Sequence, residues 1–469
     1  MSETKTITGF SKAALEALAR GNNEPEWMLA RRLEAWHVYE ETPLPASNDE
    51  LWRRTSLQDL NLDAVVPFAA AESGWSPAQL PEEFQGLADN YDAAGVLITH
   101  NGRASFVKLK EQYQKRGVIL CDMNTALREY PELVREYFMT RAVTLAENRY
   151  ARHINAQGVI EHHGYSDTIG DLKFASLHGA FWNGGTFLYV PKNVVIDEPI
   201  NTLAFYDADN VAIFSHSLII LEAGASAKLI EDFGSNANEA QRFGARAVEL
   251  ILKPNATLQY FNLQDWAHNV WDFSSQTAIL ERDTNLTWLA GMLGSAVTKA
   301  FLDSRIEGPG AEVRMLGFFF GDARQHFDQH TFQNHIVGQG KSDLLYKGTL
   351  KDHAYSAFRG LIRINPDAQR SDAYQQNRNL LLSGTAHADS IPELEIEAND
   401  VRCTHGATVG PLEEEAVFYL MARGIPRPEA ERLITEGFFD ELIAKIPLQV
   451  VQDRLFRVIR QKIVGAHAL

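Results

Sequence analysis

Ala247-Val248-Glu249-Leu250-Ile251-Leu252, followed by the polar turn Pro254-Asn255-Ala256-Thr257, sets the pattern for the central part of this chain. A short run of aliphatic and β-branched residues ends in a tight turn, the signature of a strand bounded by breakers. Similar runs precede it at Val211-Ala212-Ile213-Phe214 and Leu218-Ile219-Ile220-Leu221. Turn clusters recur at Ala223-Gly224-Ala225-Ser226, Pro254-Asn255-Ala256-Thr257, Arg282-Asp283-Thr284-Asn285 and Gly308-Pro309-Gly310, about 25 to 31 residues apart. Later they come at about half that spacing, at Lys351-Asp352-His353 and Asn365-Pro366-Asp367. Such recurrence suggests a coiled sheet. A parallel β-helix would stack these turns, bury an apolar lumen and expose edge strands only at its two ends. On spacing alone, a jelly roll or a sandwich competes with it.

Helical patterns flank this core. Ser11 suits an N-cap ahead of Ala13 to Ala19, Gly21 ends that helix, and Pro25 suits the first turn of a second helix through Trp27, Leu29, Leu33 and Trp36. Arg31 and Arg32 read as its solvated face. A Pro- and Asn-rich loop follows from Thr42 to Asp49, and helical patterns return between Asn124 and Tyr150. After Gly410, Glu413-Glu414-Glu415 favours a helix N-terminus, Gly424 a C-terminal stop, and Pro426 a break. A further helix near Pro428 carries Leu433, Ile434, Phe438, Leu442 and Ile443, and a third runs from Pro447 toward Val464. Their wide apolar stripe reads either as docking against the end of the β-helix or as a partner-binding face.

Composition bounds the function. The chain has 469 residues and 45% hydrophobic content, enough for a large core. A formal charge of -17 and a pI near 5.4 exclude a general affinity for nucleic acid or anionic membranes. Two cysteines, Cys121 and Cys403, are too few for a disulfide framework. The opening Met1-Ser2-Glu3-Thr4-Lys5 lacks a signal peptide's apolar segment, and no run reaches the roughly 18 apolar residues of a membrane span. The expected compartment is a reducing cytoplasm.

Four constellations invite a chemical reading. In Val401-Arg402-Cys403-Thr404-His405-Gly406, strand periodicity puts Cys403 and His405 on one face, so a soft sulfur and an imidazole nitrogen point the same way. Two such ligands are about half of what an iron, zinc or cluster site needs. A buried structural cysteine beside a hydrogen-bonded histidine gives the same pattern. In Gln325-His326-Phe327-Asp328-Gln329-His330, the residues His326, Asp328 and His330 share a face, as in a facial metal triad or a polar ladder. Gly340-Lys341-Ser342 ends like a phosphate-binding loop, but His335 stands where the first glycine belongs and Leu344-Leu345-Tyr346 is strand-like, so a β-turn is expected. Glu393, Glu395 and Glu397 at alternating positions could serve acid-base chemistry on a β-helix enzyme acting on polysaccharide.

Longer motifs decide among these readings. Glu24-Pro25-Glu26-Trp27-Met28-Leu29 resembles the opening motif of the SufB/SufD family of iron-sulfur cluster assembly scaffolds. The segment from Phe174 to Pro191 with its Gly184-Gly185 pair, the Val401 to Gly410 stretch, and Phe418-Tyr419-Leu420-Met421-Ala422-Arg423-Gly424-Ile425 are similar to further motifs of that family, in the same order. Where the two branches differ, Ala386 stands at the place of a SufB cysteine and Gly406 at that of a SufB glutamate, so the resemblance favours the SufD branch.

The resemblance implies a mainly β fold, a right-handed parallel β-helix over 156-411 with helical regions at 1-155 and 412-469. It implies a non-catalytic scaffold that pairs with a SufB-like subunit and with SufC, an ABC-type ATPase, and that self-pairs into a homodimer when isolated. No permanently bound cofactor is expected. His405, with Cys403 beside it, is the expected ligand for transient iron or a nascent cluster shared with the partner. Phe418, Met421, Phe438 and Phe439 are the expected exposed anchors for SufC. A subunit that only holds SufC, without metal contact, is the remaining alternative.

Overall fold

One corner of each coil is made by a residue in the left-handed region: Asn193, Gly224, Asn255, Asp283, Gly310, Gln339 and Arg370, with φ between 55° and 75°. Asn, Asp and Gly accept this conformation most readily, which is why polar turn clusters mark the reversals. Each corner N–H donates to the next coil's corner: Gly224 to Pro254, Asn255 to Arg282, Asp283 to Pro309, Gly310 to Gln339 and Gln339 to Gln369. The turns thus form a ladder of their own.

The computed structural model describes residues 8–69, 74–85, 92–145, 153–154, 160–161, 169–446 and 449–464. From Thr186–Val190 onward, successive strands alternate between two sheets, giving a parallel β-solenoid of about eight turns. The ten-stranded sheet ends in Asp372–Leu381 and Arg402–Pro411; the nine-stranded sheet ends in Tyr355–Ile364 and His387–Ile396. At the other end, Gly95–His100 joins Ile200–Tyr206 in parallel, while Arg103–Leu109 and Ile119–Asp122 add on in antiparallel fashion. Strands therefore interrupt the stretch read as helical, and the boundary drawn at residue 155 lies outside the described residues.

Alternation divides each strand between lumen and outer face. In Arg242–Leu252, Val248, Leu250 and Leu252 enter the lumen with Leu229, Leu258, Tyr260 and Trp288, whereas Ile251 packs outside against Met123, Leu127 and Trp182. Both faces are covered, so the strand reads as a continuous apolar run. Gly348 lies under the Phe319 ring, where a Cβ would approach within 1.8 Å, so glycine is required.

Outside the nine-stranded sheet lie Lys12–Gly21, capped by Ser11 Oγ, Glu26–Glu41 and Ile169–Phe181. Arg32 corrects the reading of a solvated face: its side chain is fully buried. It donates to both Glu24 oxygens (2.7 and 2.6 Å) and to the carbonyls of Ala180 and Trp182 (2.9 Å each), with its guanidinium over the Trp182 ring. Removing one partner of such a pair costs about 3–5 kcal/mol. The helices Arg427–Ile443 and Gln449–Val464 cover the ten-stranded sheet rather than the solenoid's end. Their Phe439, Leu442, Leu455 and Ile459, with Ile446 from the turn between them, pack on Phe261, Leu289, Leu316 and Phe318.

Candidate functional site

Arg402–Pro411 is the last strand of its sheet, and among the described residues no strand lies beyond it. Cys403 sits opposite Ala373 and His405 opposite Gln375. Ala373 is fully buried and Cys403 packs with it, Ile362, Ile364 and Ala398, so this face of the strand looks into the mouth of the lumen. Cys403 is half-buried and His405 exposed. Burial pushes the Cys403 thiol up to about 11, so it is protonated at neutral pH. Thiolate ligation there requires a metal or a cationic partner to displace the proton.

The main chain is also open at this end. Arg402 N–H donates inward to Ser371, so strand alternation turns the N–H groups of Cys403, His405, Ala407 and Val409 toward the free edge. The neighbouring edge, His387–Ile396, differs. His387 and Glu397 donate inward to Ala354 and Ile364, which places Pro392, lacking an N–H, among the edge-facing positions. Ala386 is buried at the end of the lumen.

The other constellations resolve differently. His326, Asp328 and His330 do share the outer face of one strand, but the cation they surround is Lys299. Its fully buried Nζ lies 2.5 Å from Asp328 Oδ2 and 2.8 Å from His330 Nε2, and it also donates to the Leu51 carbonyl. Thr55 Oγ1 closes the cluster on Asp328 (2.5 Å) and His326 (3.0 Å). Desolvation lowers both histidines to about 4, and Lys299 with the histidines holds the Asp328 carboxyl well below its ordinary range despite burial. Lys341 opens a strand, not a helix, after Gln339 in the left-handed region, and Ser342 is tied to His335 and Gln333. Glu393 is held by Arg359 (2.9 and 3.0 Å), and Glu395 and Glu397 pair with Arg363. These carboxylates form an ion-pair ladder on the outer face.

The four residues expected as partner anchors separate into two groups. On Glu414–Met421, Phe418 is 70% exposed and Met421 42%, with Tyr419 beside them. Phe439 is a correction: it is fully buried against Phe318 (4.6 Å), inside the molecule's own core. Phe438 is partly buried, with Lys347 over its ring and on its carbonyl.

A second buried polar relay escaped the sequence reading. His178 Nδ1 lies 2.6 Å from the Ala245 carbonyl, its Nε2 2.9 Å from His216 Nδ1, and His216 Nε2 3.1 Å from Glu249. Glu249 also accepts from the backbone of Met139 and Val143. Burial lowers the His178 pKa well below the ordinary histidine range. The signal was a glutamate inside the aliphatic run 247–252. Among the described residues no group of three or more His, Cys, Asp or Glu side chains is arranged to hold a metal ion.

The fold and the site define a β-solenoid whose terminal coil is open along both sheets and carries a thiol and an imidazole at its mouth. Comparison places it. Residues 204–438 match the SUF system FeS cluster assembly, SufBD core domain, and residues 4–202 match the SufBD protein N-terminal region. The chain belongs to the SufBD family of iron-sulfur cluster assembly proteins. It is 27% identical to iron-sulfur cluster assembly SufBD family proteins of Staphylococcus haemolyticus (strain JCSC1435), Staphylococcus epidermidis (strain ATCC 12228) and Staphylococcus aureus (strain MRSA252). In each case the match covers 97% of this chain and 94% of the relative.

Proposed function

We propose that this chain is the SufD-like scaffold subunit of a Suf assembly complex, pairing with a SufB-like subunit and a SufC-like ATPase to assist iron acquisition and cluster assembly. The observation that carries the reading is the placement of Cys403 and His405 on the lumen-facing side of an unpaired terminal strand. A partner laid along that strand brings its own ligands beside them, and iron or a nascent cluster is held as cargo between two chains. Ligands divided between chains can be exchanged, which assembly and transfer both need. His405 leads as ligand because it is exposed and needs only its neutral form, while Cys403 must first lose a proton.

Gly406 and Ala386 support the SufD-like assignment, since by the resemblance they stand where the SufB branch carries a glutamate and its cluster-building cysteine. The exposed Phe418, Tyr419 and Met421 supply a docking surface for the ATPase, so nucleotide turnover belongs to that partner and the scaffold itself is non-catalytic. No helix among the described residues is long and apolar enough to cross a membrane, and a cytoplasmic site of action fits this. Co-expression with the SufB-like and SufC-like chains tests the reading: a ternary complex is expected on affinity purification, and recovery of this chain alone would contradict it.

A further inference from the structure

Cys403 and His405 stand over unlike floors. Cys403 lies beside Ala373 and packs with Ile362, Ile364 and Ala398, all apolar. His405 lies beside Gln375, the next lumen-facing residue of Asp372–Leu381, and Asn377 and Asn379 follow on the same face. These three amides are buried, Gln375 to 1% exposure. Gln375 Nε2 donates to the Gly360 carbonyl of the opposite sheet at 2.9 Å. A Cβ at Gly360 would come within 2.6 Å of Gln375 Oε1, so the glycine makes room for this carboxamide. One end of the amide is thus anchored, while Oε1 accepts from no group among the described residues.

A buried carbonyl oxygen left without a donor costs about 1–3 kcal/mol, so a donor is expected beside it. An imidazole that binds metal through one nitrogen carries an N–H on the other, and the acceptor of that N–H fixes both the tautomer and the direction of the ring. We infer that Gln375 is a positioning residue for His405: its Oε1 accepts the His405 N–H, directly or through one water, and holds the opposite nitrogen free for ferrous iron. The inference rests on the shared-site reading above and names the residue that prepares its leading ligand. The neighbouring amides are of the wrong kind or in the wrong place. Asn377 has its oxygen taken by Ser390 Oγ (2.7 Å) and Asn379 Nδ2 (2.8 Å), so its spare group is a donor. Asn379 has a spare oxygen but stands beside Val409, four residues from His405 along the strand.

The tautomer is read without iron. The full chain is prepared with isotope-labelled histidine, the His405 signal is assigned by its loss in His405→Ala, and its Cδ2 shift in the nuclear magnetic resonance spectrum at about pH 8 gives the ratio of the two neutral tautomers. The wild-type ratio is expected to differ from that of the exposed His353 by about two- to tenfold, the bias that one hydrogen bond supplies. Gln375→Met, close in volume but without the acceptor, should remove that bias, and Gln375→Glu, which retains an oxygen, should keep it. A wild-type ratio equal to that of His353 overturns the inference, even if the variants misfold. In the complex with the SufB-like subunit, ferrous iron alone should bind about 10- to 100-fold more weakly to Gln375→Met, with Gln375→Glu closer to wild type. Unchanged iron affinity in Gln375→Met, where His405→Ala does lose iron, overturns the inference as well. If His405→Ala itself leaves iron affinity unchanged, the proposed shared site fails instead, while the tautomer ratio still decides whether Gln375 holds the ring.

Discussion

Lowering the pH from 8 to 5 should loosen the contact between the Leu51–Thr55 segment and the solenoid, through His326 and His330. Both histidines are buried around the Lys299–Asp328 pair and lowered to about 4 from 6.5. Between those values the unfolded chain binds more protons than the folded one, so stability falls as pH falls from about 6.5 toward 4. At pH 5 each histidine forfeits about 2 kcal/mol relative to pH 8, and the pair about 4 kcal/mol. Asp328 has its carboxyl lowered, so its contribution is present above its ordinary value of 3.8 and is lost only at more acid pH, outside this window. Trp52 reports on the site, since Lys299 lies over its ring at 4.8 Å. Urea unfolding followed by tryptophan fluorescence should show a loss about 4 kcal/mol larger in wild type than in His326→Gln/His330→Gln, whose remaining loss comes from other buried histidines such as His178 and His335. A wild-type loss below about 1 kcal/mol, or an equal loss in the double variant, would refute the assignment.

Three further outcomes follow from the docking helices and the terminal thiol. Phe418→Glu and Met421→Glu should each abolish pull-down of the SufC-like ATPase with no change in thermal unfolding, because both side chains are exposed. Phe439→Ala should instead lower stability by about 3–5 kcal/mol, as expected for a ring removed from a core. Alkylation of Cys403 should be roughly a hundredfold slower at pH 8 than that of an ordinary cysteine and should accelerate up to about pH 11, which mass spectrometry of the labelled chain measures.

The coil was legible because its corners need residues that tolerate the left-handed region, and Asn255, Asp283 and Gly310 announce themselves. The alternation of Cys403 and His405 was legible for the same local reason. What failed depended on partners distant in sequence. Arg32 resembles a solvated helical arginine until Ala180 and Trp182 supply carbonyls from the far side of the N-terminal region. Phe438 and Phe439 are adjacent on a helix lying flat on a sheet, and only the sheet's position decides which ring is enclosed. Lys299 carries no motif, yet it fills the place that the His326-Asp328-His330 spacing offered to a metal. Gly95–His100 and Arg103–Leu109 are short strands that owe their pairing to the end of the solenoid, so the surrounding helical patterns concealed them.

The central claim is tested by the iron and acid-labile sulfide carried per intact complex when His405→Ala is assembled with the SufB-like and SufC-like subunits. The side chain is exposed on an edge strand, so its removal opens no core cavity, and assembly and thermal unfolding should match wild type. Iron and sulfide should fall at least severalfold, with Cys403→Ser showing a smaller loss because the partner supplies sulfur ligands. A fully assembled His405→Ala complex with a normal iron and sulfide load would contradict the shared site.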